Sequence, residues 1–216
     1  MEGEVFSLIG PKRFDVPWKE IEAQGYIAPA DCVEVRVTLT EHERLTYATA
    51  EQEDKYRTCS TTETKKKIVL ALARKHSEDQ TLIIGQYINQ IDEIAEDLGV
   101  PIIKGETPVK EREELFAKFR TGEIKCLVVS KVANFSIDLP EAAIAIQVSG
   151  TFGSRQEEAQ RLGRILRPKA DGRTARFYSV VARDTIDQDF AQNRQRFLAE
   201  QGYSYRIIDA DEVSRS

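Results

Sequence analysis

Apolar positions in this chain fall into two alternating rhythms, short continuous runs and helical spacings, and the alternation is most regular after residue 60. Upstream, Cys32-Val33-Glu34-Val35-Arg36-Val37-Thr38-Leu39 alternates apolar and polar residues, which predicts a half-buried strand. Thr40 with Glu43 forms a capping box for a short helix to about Ala50. The polar stretch 51–61 reads as a hinge or exposed loop. Ser60 with Glu63 predicts a helix to about Lys75, with Ile68, Leu70, Leu72 and Ala73 on its apolar side. A short strand over 81–84 ends at Gly85, and Ile88, Ile91, Ile94, Ala95 and Leu98 mark a helix that Gly99 ends. Ile102 and Ile103 make a further short strand, ending at Gly105. Thr107 reads as the cap of a helix with Pro108 at its first position and Gly122 just beyond its end. Buried-type strands follow over 126–129 and 143–148. Ser154 with Glu157 predicts a helix to Arg167, terminated by Pro168. The chain closes with a strand over 175–181, a long helix over 185–201 and a last strand over 205–208.

This order predicts an α/β fold with a mostly parallel sheet and helices on both faces. Ligands of such sheets bind beyond the carboxyl ends of the strands, so the segments to inspect are 85–87, 105–107, 130–138 and 149–154. Residues 1–31 fit neither rhythm. Pro11, Pro17 and Pro29 interrupt them, yet their apolar content is too high for a free linker, so they read as an extended segment docked on something else.

Composition narrows the class. Of 216 residues, 41% are hydrophobic and 31% charged, the mix of a globular protein, and 31 Lys+Arg against 36 Asp+Glu give a net charge of −5. No apolar run is long enough for a transmembrane helix, and the acidic N-terminus carries no signal-peptide core. Cys32, Cys59 and Cys126 are odd in number, widely spaced and without a C-x-x-C pair, which argues for a reducing compartment and against disulfides or a zinc site. With two histidines, His42 and His76, both expected to face solvent, no multi-histidine metal centre is possible. The mild acidity leaves a nucleic-acid partner open, because capture of phosphates depends on where the positive charge sits.

Three segments could carry chemistry. In Gln160-Arg161-Leu162-Gly163-Arg164-Ile165-Leu166-Arg167-Pro168, three arginines at spacings of three fall within about a third of a helix circumference. A solvated cationic face and a guanidinium row aimed at phosphates both fit this pattern; arginine suits the second because its planar fork stays charged and binds phosphate oxygens bidentately. Ser130-Lys131-Val132-Ala133-Asn134-Phe135-Ser136-Ile137-Asp138-Leu139-Pro140 runs from a strand into small polar residues. It is either a plain connection or a phosphate-binding turn at Ser130, with Asp138 receiving a sugar or orienting an arginine. Lys104-Gly105-Glu106-Thr107 is either an ordinary helix start or an anion site at a helix N-terminus. Lys65-Lys66-Lys67 reads as a solvated helix face that nearby phosphates could use. No G-x-x-x-x-G-K-[ST] loop occurs, and no acidic pair follows an apolar strand, so the arginine row looks like half of a phosphate site.

These motifs carry a resemblance. Gln160-Arg161-x-Gly163-Arg164-x-x-Arg167 is similar to motif VI of superfamily 2 helicases, and 130–138 to motif V. Together with Gly153-Ser154-Arg155-Gln156-Glu157-Glu158-Ala159 and Arg194-Gln195-Arg196-Phe197-Leu198-x-x-Gln201-Gly202-Tyr203, they make the chain resemble the C-terminal half of the XPB (Rad25-like) DNA repair helicases over about residues 25–209. The resemblance implies a RecA-like second helicase domain over 32–209. It reads 1–31 as an extended segment from the end of a first domain absent here, and 210–216 as a tail. It further implies a 3′→5′ DNA helicase or translocase acting in nucleotide excision repair. Arg164 and Arg167 would be arginine fingers; Asp138, Gln160, Arg161 and Gly163 would lie at the nucleotide; Gln86, Gly105, Thr107, Ser130 and Lys131 would meet the DNA backbone. ATP and Mg²⁺ would be held mainly by the first domain, with no cofactor and no metal site in this chain alone. The implied partners are DNA, the N-terminal half of the same helicase and a repair nuclease, with no membrane. The implied location is the cytoplasm at the nucleoid, or the nucleus in a eukaryote. Two departures stand out: Ser136 occupies a position that is glycine in many helicases, and residues 39–60 leave room for only a reduced version of the family's thumb-like element. The alternative reading is a stand-alone DNA- or partner-binding module without a catalytic role.

Overall fold

A computed structural model describes residues 30–130, 142–150 and 174–215. The extended segment expected before residue 30 and the helix expected over 154–167 lie outside the described residues. Seven strands form one sheet: β1 (Ala30–Val37), β2 (Thr81–Gly85), β3 (Ile102–Ile103), β4 (Cys126–Ser130), β5 (Ile144–Gln147), β6 (Ala175–Ala182) and β7 (Ser204–Asp209). Their order is β3-β4-β2-β5-β6-β1-β7, and every pairing is parallel. The helices are α1 (Glu41–Thr49), α2 (Lys55–Ser60), α3 (Glu63–Lys75), α4 (Ile88–Leu98), α5 (Val109–Thr121), α6 (Ile186–Glu200) and α7 (Ala210–Ser214).

Successive strand residues point to opposite faces, so each strand feeds two cores. Val33, Val35, Ile83, Val128 and Ile146 pack with residues of α3, α4 and α7; Cys32, Leu82, Leu127, Ala145 and Phe177 pack with Phe116 and Phe119 of α5 and Phe197 and Leu198 of α6. That double coverage corrects the half-buried expectation for β1. It lies inside the sheet between β6 and β7, and Glu34 is fully buried, accepting from the Tyr205 hydroxyl at 2.6 Å and from Arg36 Nε at 2.6 Å. Among the described residues no helix is long and apolar enough to cross a membrane.

Several boundaries differ from the sequence reading. The α1 capping box is present. The expected loop at 51–61 instead holds a 3-10 turn (Gln52–Asp54) and α2, whose Cys59 and Ser60 are buried. Ser60 is thus helical, and Thr62 caps α3 by accepting from the Lys65 N–H. Pro108, not Thr107, stands at the N-cap of α5. The tail forms α7, capped by Asp209 and Glu212 and seated through Ala210 and Val213. His76 is half-buried against the Tyr178 hydroxyl (2.9 Å) and Asp79 (3.2 Å), and burial lowers its pKa; only His42 faces solvent.

Gly85 closes β2 where the chain turns toward the candidate site. A Cβ there would overlap Ile91 Cγ2 and lie 3.0 Å from Val148 Cγ1 and 3.3 Å from Ser149 Oγ. Gly85→Ala should therefore destabilise the domain by about 1–3 kcal/mol, the usual cost of overpacking. A urea midpoint equal to that of the parent would show that α4 yields freely.

Candidate nucleic-acid and nucleotide interface

Because the strands are parallel, all their carboxyl ends meet at one rim. Ser130 ends β4 and is paired in register with Gly85 at the end of β2, so Ser130 and Gln86 leave neighbouring strands side by side. Gly105 and Thr107 follow β3, which pairs with β4. The sheet therefore gathers Gln86, Gly105, Thr107 and Ser130 at three adjacent strand exits. Lys131, Asp138, Gln160, Arg161, Gly163, Arg164 and Arg167 lie outside the described residues.

The turn at 104–107 is built from the inside. The Thr107 Oγ1 accepts from the Lys104 N–H at 2.9 Å, and the Thr107 N–H donates to the Lys104 carbonyl at 3.1 Å. Arg112, buried on α5, donates to the carbonyls of Thr107 (2.8 Å), Lys104 (3.2 Å) and Gly105. The carbonyls thus face the arginine, and the Thr107 hydroxyl keeps its proton to donate. Ser130 is buried at 1% exposure. Gln86 donates its N–H to Ser149 Oγ at 2.8 Å, while its Oε1 is buried without a hydrogen-bond partner. An orphaned buried acceptor costs about 1–3 kcal/mol.

A second group of rim residues went unread in the sequence. Ser149 Oγ donates to Gln90 Oε1 at 3.2 Å, and Gln90 Nε2 donates to the Ser60 carbonyl at 2.6 Å. Lys65 is fully buried, with Nζ 2.7 Å from Asp187 Oδ2 and donating to the Val148 carbonyl at 2.7 Å. Tyr56 of α2 accepts from the Gly150 N–H at 2.8 Å, and burial pushes its pKa up to about 12. The lysine run is accordingly no uniform solvated face. Lys65 is interior, Lys66 pairs with Glu93 and Asp97 at 3.2 Å each and with Glu63 at 3.5 Å, and Lys67 alone is exposed. Helical spacing did hold a signal. Lys65 shares the stripe of Val69 and Leu72, and Asp187 and Arg194 share that of Ala191 and Leu198, all of them buried.

The carbonyls of the 104–107 turn are occupied by Arg112, the Lys65–Asp187 pair is closed on itself, and no three His, Cys, Asp or Glu side chains gather as metal ligands among the described residues.

The sequence profile described as ERCC3/RAD25/XPB C-terminal helicase matches residues 21–215. The chain belongs to this family. It is 70% identical over 212 residues to the DNA 3′-5′ helicase XPB of Kineococcus radiotolerans, covering 98% of this chain and 38% of that protein. To the DNA 3′-5′ helicase XPB of Mycobacterium tuberculosis it is 68% identical, covering 98% of this chain and 39% of that protein. This XPB-family chain thus spans about two fifths of the length of these relatives. Its fold is similar to the C-terminal domain of the DEAD-box protein Dbp5, with a TM-score of 0.63 at 16% identity, covering 88% of this chain and 98% of that one. The α/β fold with a mostly parallel sheet that the sequence predicts is the fold observed.

Proposed function

We propose that this XPB-family domain is the second motor domain of an ATP-dependent 3′→5′ DNA helicase or translocase of nucleotide excision repair. The observation that carries the reading is its 70% identity, across 98% of its length, to a protein named DNA 3′-5′ helicase XPB. Arg164 and Arg167 act as arginine fingers on ATP and Mg²⁺ held mainly by a first motor domain, with Gln160, Arg161, Gly163 and Asp138 on the nucleotide side. A finger of this kind neutralises charge developing on the γ-phosphoryl oxygens. Gln86, Gly105, Thr107, Ser130 and Lys131 track one DNA strand by its backbone. The Thr107 hydroxyl proton at the β3 exit and the Gln86 amide at the β2 exit, on either side of the Ser130 end of β4, support that assignment. DNA and the first domain are then the partners, with a repair nuclease as a further one, and the place of action is the nucleoid or the nucleus.

The test is DNA-stimulated ATP hydrolysis by this chain alone and after adding the first motor domain of a bacterial XPB relative. The chain should be silent alone and active on mixing. Silence in both conditions would favour a stand-alone binding module, and activity alone would mean a complete nucleotide site within this chain.

A further inference from the structure

The exit of β5 is held residue by residue. The Val148 carbonyl takes Lys65 from α3, Ser149 Oγ lies between the Gln86 N–H and Gln90 of α4, and Gly150 is gripped on both of its backbone polar groups. Its N–H donates to the Tyr56 hydroxyl at 2.8 Å; its carbonyl accepts from Gln147 Nε2 at 3.0 Å and from Arg194 Nη2 at 3.4 Å. Gly150 has φ 137°, a conformation that suits glycine and disfavours other residues. Tyr56 is itself wedged, its ring edge-on to Phe190 at 5.3 Å between centroids and tilted on Tyr87 at 6.1 Å. Arg194 is 3% exposed, and the stretch it opens, 194–203, has no role in the reading above.

A connection that only had to leave the sheet would not need charged and phenolic side chains from two helices buried around one glycine. Burying such groups is unfavourable unless each is hydrogen-bonded, and here their bonds fix one backbone direction. The sequence places the cap of the arginine-bearing helix at Ser154, so only Thr151, Phe152 and Gly153 intervene. We propose that Tyr56 and Arg194 are positioning residues of the motor: by holding the N–H and carbonyl of Gly150 they set the direction in which the chain enters the arginine row. The assignment rests on the finger reading of Arg164 and Arg167.

Tyr56→Phe deletes one hydroxyl and keeps the ring. In the mixed two-domain assay it should lower kcat about tenfold, the scale of one lost hydrogen bond, with KM for ATP unchanged. Arg194→Lys, which keeps the charge but not the reach to Gly150, should act in the same direction. Tyr47→Phe is the control, because the Tyr47 hydroxyl makes the same kind of bond, accepting from the Ile186 N–H at 2.9 Å, away from the β5 exit. It should lower the melting temperature as much as Tyr56→Phe and leave kcat unchanged. In an Arg164→Lys background, Tyr56→Phe should cost less than about twofold further, because a residue that acts through the arginines has little left to lose. The proposal is overturned if Tyr56→Phe lowers only the melting temperature, or if its loss multiplies in full with that of Arg164→Lys. Normal turnover in Arg164→Ala would remove the finger reading itself, and the clamp with it. Loss in Arg164→Ala but none in Tyr56→Phe and Arg194→Lys would overturn the clamp alone.

Discussion

Alanine at Arg164 or at Arg167 should abolish the ATP hydrolysis that appears on mixing this domain with a first motor domain, lowering kcat by about a thousandfold or more. The size follows from where charge develops. Phosphoryl transfer spreads negative charge over the equatorial oxygens of the γ-phosphate, and a guanidinium placed there stabilises the transition state more than bound ATP. The loss should therefore fall on kcat, with KM for ATP moving little. A thousandfold corresponds to about 4 kcal/mol of transition-state stabilisation. Lysine should rescue only in part, since its ammonium is a point charge without the planar fork. The competing reading, a solvated cationic face, makes the opposite prediction, because surface arginines contribute little beyond their own solvation. Turnover within about twofold of the parent would leave that reading standing, on the ordinary scatter of surface substitutions. DNA affinity of the isolated domain separates the two groups of site residues. It should hold in both arginine variants and fall in Thr107→Ala, whose hydroxyl sits in the 104–107 turn that follows β3 and accepts there from the Lys104 N–H.

What could be read in the sequence was local in origin. The α4 stripe from Ile88 to Leu98 with Gly99 after it, the Thr40–Glu43 box and the apolar runs of β2 and β4 depend on neighbours within a few residues, and they are found where expected. The α2 helix was missed because its six residues offer only Tyr56 and Cys59 as a helical pair, too few for a period to emerge. Ser60 matched the cap pattern as well as Thr62 does, but it is still part of α2, and the pattern cannot tell where a preceding helix stops. The burial of Glu34 depends on Tyr205, 171 positions on, and that of Lys65 on the exits of β5 and β6. Charge on an apolar stripe was the available clue, and its meaning lay in partners remote along the chain. The meeting of the strand exits was legible for the opposite reason. Parallel topology sends every strand exit to one rim, so knowing the strands was enough to know which loops meet.

Asp187→Ala should destabilise the domain by about 3–5 kcal/mol, the cost of stranding a buried charge. Lys65 is fully buried and the Asp187 side chain is 5% exposed, so water cannot replace the lost carboxylate. Asp187 Oδ2 also accepts from the Ala182 N–H at 2.9 Å, so the substitution orphans a second buried donor at the end of β6. It further removes a negative charge from the first turn of α6, where the helix dipole favours one. A whole domain is stable by only about 5–15 kcal/mol, so the variant should sit near its unfolding threshold, melting about 6–20 °C lower. Asp187→Asn should cost less, because its amide oxygen can still take the Ala182 N–H. The decisive comparison is the double variant Lys65→Met with Asp187→Leu. Replacing both charges removes the stranded ammonium, and apolar residues of similar volume often match a buried ion pair. The double variant should therefore be more stable than Asp187→Ala alone, short of the parent by about 1–3 kcal/mol, because the Val148 carbonyl loses its donor and the Ala182 N–H its acceptor. If Asp187→Ala lost less than about 1 kcal/mol, the pair would carry no more than an exposed one and its interior placement would be wrong. A double variant as stable as the parent would show that the ion pair is dispensable for folding, leaving its hold on the β5 exit as the reason to keep it.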